Sequence, residues 1–238
     1  ISEEEASLIR KSDSIASKYL RRLIGGRELI HNEIRYCLWL KDASPSDIRG
    51  SKELHARVDK VRKERLESKR EATKKLASRP NEFGEIRQPL VSYLAVPLIT
   101  SENRDYLSVA IMEPEVIANN KIGIIAAEDY FVFAILSSRV FTIWNKSISG
   151  RLESRYNISI TTTYNNFPFP SATGAQREEI VKSGKALLKV RNEFEDTKFA
   201  ELYDPLTMPN ALKQMHQSND KLILNSYALN GKSSDGEV

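Results

Sequence analysis

The amino-acid sequence predicts an α+β fold, with short strands and long helices in a mixed first region and a small helical C-terminal region. Short runs rich in branched and aromatic residues predict strands at 34–40, 93–97, 106–112 and 122–125. Longer stretches with apolar residues at helical spacing predict helices at 2–22, 51–77, 130–148, 171–194 and 209–227. The length of 238 residues is enough for one large domain or two modest ones.

Residues with strong end preferences set the limits of these helices. Ser2, followed by three glutamates, predicts the start of the first helix, and Gly25-Gly26 predicts its end. Arg79-Pro80 ends the second helix, Asp129 is expected to cap the third, and Pro209 to open the last. Turns or loops are predicted at 42–47, 83–89 and 119–120, and the last ten residues are expected to be frayed.

The net charge of +4 is concentrated in one segment of the chain. Residues 52–78 hold ten Lys/Arg against five Asp/Glu, a net charge of +5, so the remaining residues sum to −1. Such a basic segment is typical of a surface that contacts a polyanion. A solvated helix with intrahelical ion pairs explains the same pattern, and the sequence leaves both interpretations open.

Cysteine usage and the chain start favour a cytoplasmic location. The single cysteine, Cys37, lies in an apolar run and is expected to be a small buried hydrophobic residue. No apolar run approaches the ~20 residues of a membrane helix, so no membrane partner is expected. From the acidic first residues we expect no secretory leader, and because residue 1 is not Met we expect a piece of a longer chain.

The sequence lacks the motifs of common catalytic and cofactor sites. Gly25-Gly26 is not followed by Lys-Ser/Thr, and no Gly-x-Ser-x-Gly is present. The three histidines have no metal-ligand spacing, and most carboxylates neighbour basic residues. We therefore expect no catalytic residue, no cofactor and no metal in this chain.

The segment 164–170 shares letters with the Asn-Pro-Pro-Tyr/Phe loop that holds a flipped adenine in amino-methyltransferases. Here Phe167 stands where that loop has its first proline, and no glycine-rich cofactor motif precedes it. We interpret the segment as a structural turn that buries aromatic residues. Trp144, within the third predicted helix, is likewise expected to be a core residue.

Glu153 and Arg155 are two oppositely charged side chains, two residues apart. If this segment is extended, both point to the same face. Glu can accept from the amino group of cytosine and Arg can donate two bonds to guanine, so the pair could read one C·G pair in the major groove. A surface ion pair is the alternative interpretation.

Ordered sequence blocks along most of the chain carry a family resemblance. The blocks are 24–30, 35–40, 57–62, 83–89, 93–97, 101–104, 150–156, 164–170 and 203–209, together with Trp144. With these blocks the chain resembles, over roughly residues 2–228, the C-terminal part of single-chain restriction–modification enzymes of the MmeI type (type IIL). In that family an N-terminal nuclease and a central adenine-N6 methyltransferase precede a target recognition domain and a helical tail.

The resemblance implies that residues 1–170 form the DNA target recognition domain and residues 171–238 the helical C-terminal domain. It also implies that Glu153 and Arg155 occupy positions that read a base pair. The nuclease and methyltransferase regions are missing here, so no catalytic activity is expected of this chain. S-adenosylmethionine is expected in the methyltransferase domain of the parent chain. The implied partners of this chain are double-stranded DNA and that methyltransferase domain.

An adenine methyltransferase must know which base to extract from the duplex, and this chain is expected to supply that surface. Phosphate contacts position such a surface and a few side chains specify sequence. We assign base reading to Glu153 and Arg155, with Gln88 as a third, since Gln can bond adenine on two atoms. Backbone contacts are assigned to basic residues: Arg87, Arg104, Lys146, Arg151, Lys63 and Arg70.

Two other functions compete with DNA recognition. In a protein-docking module, the basic helix and the helices of 171–227 would bind a partner in a larger assembly without touching DNA. An RNA-binding domain would expose aromatic residues for base stacking, whereas most aromatic residues here lie within apolar runs. Salt-sensitive binding to random duplex DNA distinguishes DNA recognition from the docking module.

Overall fold

A computed structural model describes residues 1–228; the last ten residues, expected to be frayed, lie outside this range. The helices are α1 Glu3–Ser12, α2 Ser14–Ser17, α3 Gly26–His31, α4 Pro45–Gly50, α5 Lys52–Leu66, α6 Glu71–Lys75, α7 Tyr130–Leu136, α8 Arg139–Ile148, α9 Gly174–Asn192, α10 Phe199–Leu202 and α11 Asn210–Ser226. The strands are β1 Leu20–Ile24, β2 Tyr36–Leu38, β3 Tyr93–Pro97, β4 Ile99–Thr100, β5 Ala110–Met112, β6 Ile117–Ala118, β7 Ile122–Ile125, β8 Gly150–Leu152 and β9 Arg155–Asn157. Small sheets and long helices confirm the α+β prediction.

Two compact units share the chain. The first unit comprises 1–24, 34–89 and 115–117, and the second comprises 25–33, 90–114 and the chain from Ala118 onward. The second unit contains residues from both sides of residue 170. The predicted domain boundary at residue 170 therefore stays a prediction.

The first predicted helix is interrupted in the first unit. Ser2 caps α1 as predicted, with its hydroxyl accepting from the amide of Glu5. The helix then ends at Ser12, because Asp13 adopts extended backbone and its carboxylate accepts from the amide of Ala16. The prediction of helix up to residue 22 was wrong, since Leu20 starts β1 and pairs with β2.

The basic segment is also shorter than the single helix predicted over 51–77. Ser51 caps α5 as its hydroxyl accepts from the amide of Leu54, but the helix ends at Leu66. The Arg65 guanidinium donates to the carbonyls of Leu76, Arg79 and Glu82, which holds the following chain back against α5. These long-range bonds have no signal in helical periodicity, and so the break was missed.

Two three-stranded sheets lie in the second unit. Strand β3 is buried along its whole length and pairs antiparallel with β5 on one side and β7 on the other. The strands predicted at 93–97 and 122–125 are confirmed, whereas the one predicted at 106–112 begins only at Ala110. The other sheet has the order β4-β9-β8 and carries the candidate site.

The apolar helix predicted over 130–148 is two helices, α7 and α8. Asp129 caps the first as predicted, with its carboxylate accepting from the amides of Phe131 and Val132. The chain breaks at Ser137 and Ser138, both fully buried, and the Ser138 hydroxyl caps α8 by accepting from the amide of Phe141. One continuous helix was therefore the wrong prediction, because hydroxyl groups and partners far along the chain stabilise the break.

The C-terminal helices complete the core of the second unit. Helix α9 starts with a capping box between Thr173 and Gln176, and α11 follows Pro209, which confirms both predicted helices. Phe133, Leu187 and Ile223 belong to one apolar cluster and are fully buried. The helices after residue 170 thus share a core with the sheets before it.

Two further expectations concern single residues and membranes. Cys37 is buried as predicted, and burial raises the pKa of its thiol to about 11. Trp144 packs partly buried against the main core and donates its indole N–H to the carbonyl of Thr163 at 2.8 Å. Within residues 1–228 no helix combines the length and apolar character needed to span a membrane.

Candidate nucleic-acid interface

Glu153 and Arg155 lie at the tip of a β-hairpin in the second unit. Strands β8 and β9 pair antiparallel with Leu152 opposite Arg155, so only Glu153 and Ser154 connect them. Glu153 has φ 58°, a left-handed conformation that is uncommon for a residue with a side chain. The condition under which both side chains would share one face of a strand, an extended segment, is not met, because the chain turns between them.

The turn nevertheless brings the two charges together. The Arg155 guanidinium donates to a carboxylate oxygen of Glu153 at 2.6 Å, and their side chains are 47% and 75% exposed. An exposed ion pair is worth little, roughly 0–1 kcal/mol, so exchanging it for contacts to bases costs little. Both interpretations of the pair, surface ion pair and base reader, are compatible with this geometry.

Strand pairing and side-chain contacts hold the base of the hairpin in place. Strand β9 pairs with β4, opposing Tyr156 to Thr100, and Tyr156 is buried. Arg151 lies 4.5 Å over the Tyr156 ring, donates to its hydroxyl at 2.9 Å and pairs with Glu102 at 3.3 Å. Arg151 therefore supports the hairpin while about half of its side chain stays accessible to a phosphate.

Arg155 also lines an open groove of about 570 Å³ within the second unit. Three other basic side chains line the same groove: Arg27, Arg104 and Lys121. No carboxylate residue is among the described lining residues. Two of these cations already have a carboxylate partner, Arg27 with Glu33 at 2.8 Å and Arg155 with Glu153 at 2.6 Å. Arg104 and Lys121 add further positive charge to the lining, and a lining of basic side chains attracts a polyanion.

Arg27 and Lys121 were not predicted from the sequence as members of this site. Gly25-Gly26 was interpreted only as a helix stop, whereas Gly25 precedes α3, which carries Arg27. Lys121 follows the predicted Asn119-Asn120 turn, without the basic neighbours that would have drawn attention to it. Reading the glycine pair as the start of a helix would have drawn attention to Arg27. For Lys121 the sequence offers no such signal, because strand pairing in the folded chain brings it to the groove.

Arg104 and Lys146 are half-buried residues of the second unit. Arg104 donates to the hydroxyl of Ser108 at 3.0 Å, and burial lowers the pKa of its guanidinium. Lys146 lies in the last turn of α8, and both residues border a small pocket beside Tyr156. Arg104 is thus partly a structural residue, and phosphate contact by either residue stays a prediction.

The remaining candidates lie in the first unit. Gln88 donates its side-chain amide to the carbonyl of Val116 at 2.9 Å, so bidentate bonding to adenine would require release of that bond. Arg87 is exposed and pairs with Glu85. Lys63 on α5 and Arg70 before α6 are exposed, and neither forms an ion pair with another residue in the 1–228 range.

The structure thus divides the predicted site residues between the units. The second unit holds Glu153, Arg155, Arg151, Arg104 and Lys146, and the first holds Gln88, Arg87, Lys63 and Arg70. Among residues 1–228 no group of three His, Cys, Asp or Glu side chains has the arrangement of a metal site.

Comparison with known families decides the assignment. The family model described as MmeI, target recognition domain, matches residues 1–171, and the model described as MmeI, C-terminal domain, matches residues 172–237. The chain belongs to the MmeI family. The resemblance carried by the ordered sequence blocks is therefore confirmed.

Two relatives show how this family chain compares with longer proteins. It is 32% identical over 219 residues to DNA methyltransferase A of Bacillus subtilis (strain 168), covering 92% of this chain and 25% of that protein. A solved structure of the type IIL restriction-modification enzyme MmeI in complex with DNA matches 99% of this chain with 36% identity and a TM-score of 0.96. The chain spans 31% of that MmeI chain.

Proposed function

We propose that this chain is the sequence-specific DNA recognition module of an adenine-N6 DNA methyltransferase of the restriction–modification type. The observation that carries the proposal is the exposed Glu153–Arg155 pair at the tip of a hairpin whose strand β9 pairs with β4, beside a groove lined by basic side chains. The similarity to an enzyme solved with DNA supports it. In this proposal residues 1–170 recognise DNA and residues 171–238 form the helical C-terminal domain.

The parent chain is proposed to supply the chemistry. Gly25-Gly26 opens α3 directly after β1, but it lacks the Gly-x-Gly-x-x-Gly spacing of a nucleotide-binding loop, so S-adenosylmethionine is assigned to the methyltransferase domain of the parent. That domain would extract the adenine from the stack, while this chain reads the rest of the site from the other side of the duplex. With or without an active nuclease in the parent, the module directs catalysis and performs none.

Base reading requires the Glu153–Arg155 pair to separate in the major groove. The Arg155 fork then donates to the O6 and N7 atoms of guanine, and Glu153 accepts from the N4 amino group of cytosine. The basic residues Arg27, Lys121 and Arg151 are suited to hold the phosphates on either side, since they surround the hairpin or line the groove. Phosphate contacts would then set the register in which the pair meets its base step.

Arg155→Ala is expected to weaken binding to the preferred duplex by about 1–3 kcal/mol and to relax preference at one base pair only. The reason is that Ala removes the fork but leaves the phosphate contacts. Selection of preferred duplexes from a randomised library, followed by sequencing and anisotropy titrations, measures both effects.

Arg155→Lys is the matched control for charge. It keeps the cation but not the planar fork, so non-specific affinity should be retained while preference at that base pair is reduced. Unchanged preference at every position in both variants would show that Glu153 and Arg155 form only a surface ion pair.

Lys63→Ala and Arg70→Ala are each expected to weaken binding to all duplexes alike. Each lost phosphate contact should reduce the slope of log affinity against log salt by about one unit. Titrations of a random duplex at several salt concentrations measure the slope, with Lys213→Ala, on the exposed side of α11, as control. A slope equal to that of the unaltered chain would favour the solvated-helix interpretation, and absence of any salt-sensitive binding would favour the docking module.

A further inference from the structure

Helix α11 carries three buried polar residues within an otherwise apolar core face. His216, Asn219 and Asp220 are spaced i, i+3 and i+4, which places them on one side of the helix. Their exposed fractions are 0%, 0% and 7%. Buried polar groups need hydrogen-bond partners, and the identity of those partners points to their role.

All three side chains bind the backbone at the junction between α7 and α8. Asn219 donates to the carbonyl of Ala134 at 2.9 Å, in the last turn of α7. His216 bonds through Nδ1 to the carbonyl of Ser137 at 3.0 Å, and this ring nitrogen must carry the proton because a carbonyl only accepts. Asp220 accepts from the amide of Arg139, the first residue of α8, at 2.8 Å.

This arrangement is a helix cap supplied from about 80 residues away. The last carbonyls of one helix and the first amides of the next lack partners within their own helices. At this junction Ser137 and Ser138 are fully buried, so bulk water does not reach them. Helix α11 therefore supplies partners for backbone groups that water cannot reach at this break, while the Ser137 hydroxyl and His216 Nε2 have no hydrogen-bond partner among the described residues.

A single helix, α8, connects the junction to the hairpin that carries Glu153 and Arg155. Helix α8 spans ten residues, roughly 15 Å, and its C-cap Ser149 directly precedes β8. Ser149 is itself fixed, since its amide donates to the carbonyl of Asn145 and its hydroxyl lies 2.8 Å from that of Thr163. With no intervening linker, a rotation of α8 at the junction moves the base of the hairpin.

Asp220 also binds Tyr106, which lies in the segment that carries the groove residue Arg104. Its other carboxylate oxygen accepts from the hydroxyl of Tyr106 at 2.9 Å, and the Tyr106 ring stacks on His216 with centroids 4.0 Å apart. Tyr106 lies two residues after Arg104, which lines the groove. One carboxylate thus holds both α8 and the segment that carries a groove cation.

We propose that His216, Asn219 and Asp220 are positioning residues for DNA reading: through them the C-terminal helix sets the orientation of α8 and of the hairpin that presents Glu153 and Arg155. The proposal rests on the proposed function for its DNA readout, but not for its structural readout. It gives the helical C-terminal region a part in specificity, although none of its three residues lines the groove.

The test compares Asp220→Ala with Asp220→Asn in the full chain. Asn keeps an oxygen acceptor for the Arg139 amide and a polar partner for Tyr106, whereas Ala keeps neither. Hydrogen exchange of peptides covering 150–157 should rise at least about tenfold in the Ala variant, while β3 stays protected, and the Asn variant should exchange no faster than the unaltered chain. The ratio of affinities for the preferred and random duplexes should fall roughly tenfold in the Ala variant only.

Asn225→Ala, on the exposed side of the same helix, is the matched control and should change neither readout. Normal exchange of 150–157 and a normal affinity ratio in a folded Asp220→Ala variant would overturn the proposal. If that variant does not fold, Tyr106→Phe decides, because it removes one hydroxyl bond: a lowered affinity ratio and faster exchange at the hairpin support the proposal, and no change overturns it. If the unaltered chain binds no duplex, the proposed function fails while the exchange data still decide the positioning role.

Discussion

Asp220→Asn is expected to raise the free energy of unfolding by about 3 kcal/mol at pH 7 and to leave it nearly unchanged at pH 4. Burial raises the pKa of Asp220 to about 6 in the folded chain, from 3.8, although the Arg139 amide and the Tyr106 hydroxyl oppose the shift. The folded state therefore holds its proton more tightly than the unfolded state does. Stability from this group is present below pH 3.8 and is lost as the pH rises through 6. Urea unfolding at pH 4, 5, 6 and 7 measures the difference.

Comparing Asp220→Asn with the unaltered chain isolates the contribution of Asp220, because His216 titrates in both proteins and its contribution to the pH dependence of stability cancels. Burial lowers the pKa of His216 to about 3, from 6.5, with the charge of Arg191 adding to the shift. Its contribution has the opposite sign: stability is lost as the pH falls from 6.5 through 3. Asp196→Asn, at an exposed carboxylate, is the control and should change stability by no more than about 0.5 kcal/mol at either pH. A difference for Asp220→Asn that does not grow between pH 4 and pH 7 would contradict the raised pKa.

Gly184→Ala is expected to destabilise the chain by about 1–3 kcal/mol, the usual range for overpacking. A Cβ at Gly184 would lie 2.5 Å from the backbone carbonyl oxygen of Tyr130 and 3.2 Å from the Cβ of Ala134. Because the nearer atom belongs to the backbone of α7, the two helices must move apart. Denaturant unfolding at pH 7 measures the loss.

Gly174→Ala is the matched control on the same helix. No atom lies within 4 Å of a Cβ at Gly174, so Ala there meets no neighbour. Ala is the better helix former by up to about 1 kcal/mol, and this variant should be as stable as the unaltered chain or more stable. If both substitutions shift the unfolding free energy in the same direction, close packing of α9 on α7 is not what requires glycine at residue 184.

Several elements could be predicted because their determinants are local. Strand β3 was predicted with its observed bounds, because its branched and aromatic residues are flanked by a loop and a proline-terminated end. Ser2, Asp129 and Pro209 mark helix starts as predicted, since a cap acts within one turn of its own helix. The family could be recognised from ordered blocks, which are also local strings of residues.

Breaks inside apolar or charged helical stretches could not be predicted. Periodicity continues through Ser137 and Ser138, yet the helix stops there because α11 supplies partners for the freed backbone groups. In the same way, Arg65 ends the basic helix by bonding carbonyls up to 17 residues ahead. In both cases the bonds that favour the break join residues at least 11 positions apart, which helical periodicity does not report.

For the candidate site, the residue types and the family could be predicted from the sequence, whereas the spatial arrangement of the site residues could not. Glu153 and Arg155 were chosen for their hydrogen-bonding chemistry, which does not depend on the fold. Their contact across a hairpin turn depends on the fold. Arg27 and Lys121 join Arg155 in one groove only because strand pairing and α3 bring three distant segments of the second unit together. Caps, strands and membership in the MmeI family thus followed from neighbouring residues, whereas the helix break, the hairpin and the groove arose from hydrogen bonds and packing between residues far apart in sequence, which no local pattern encodes.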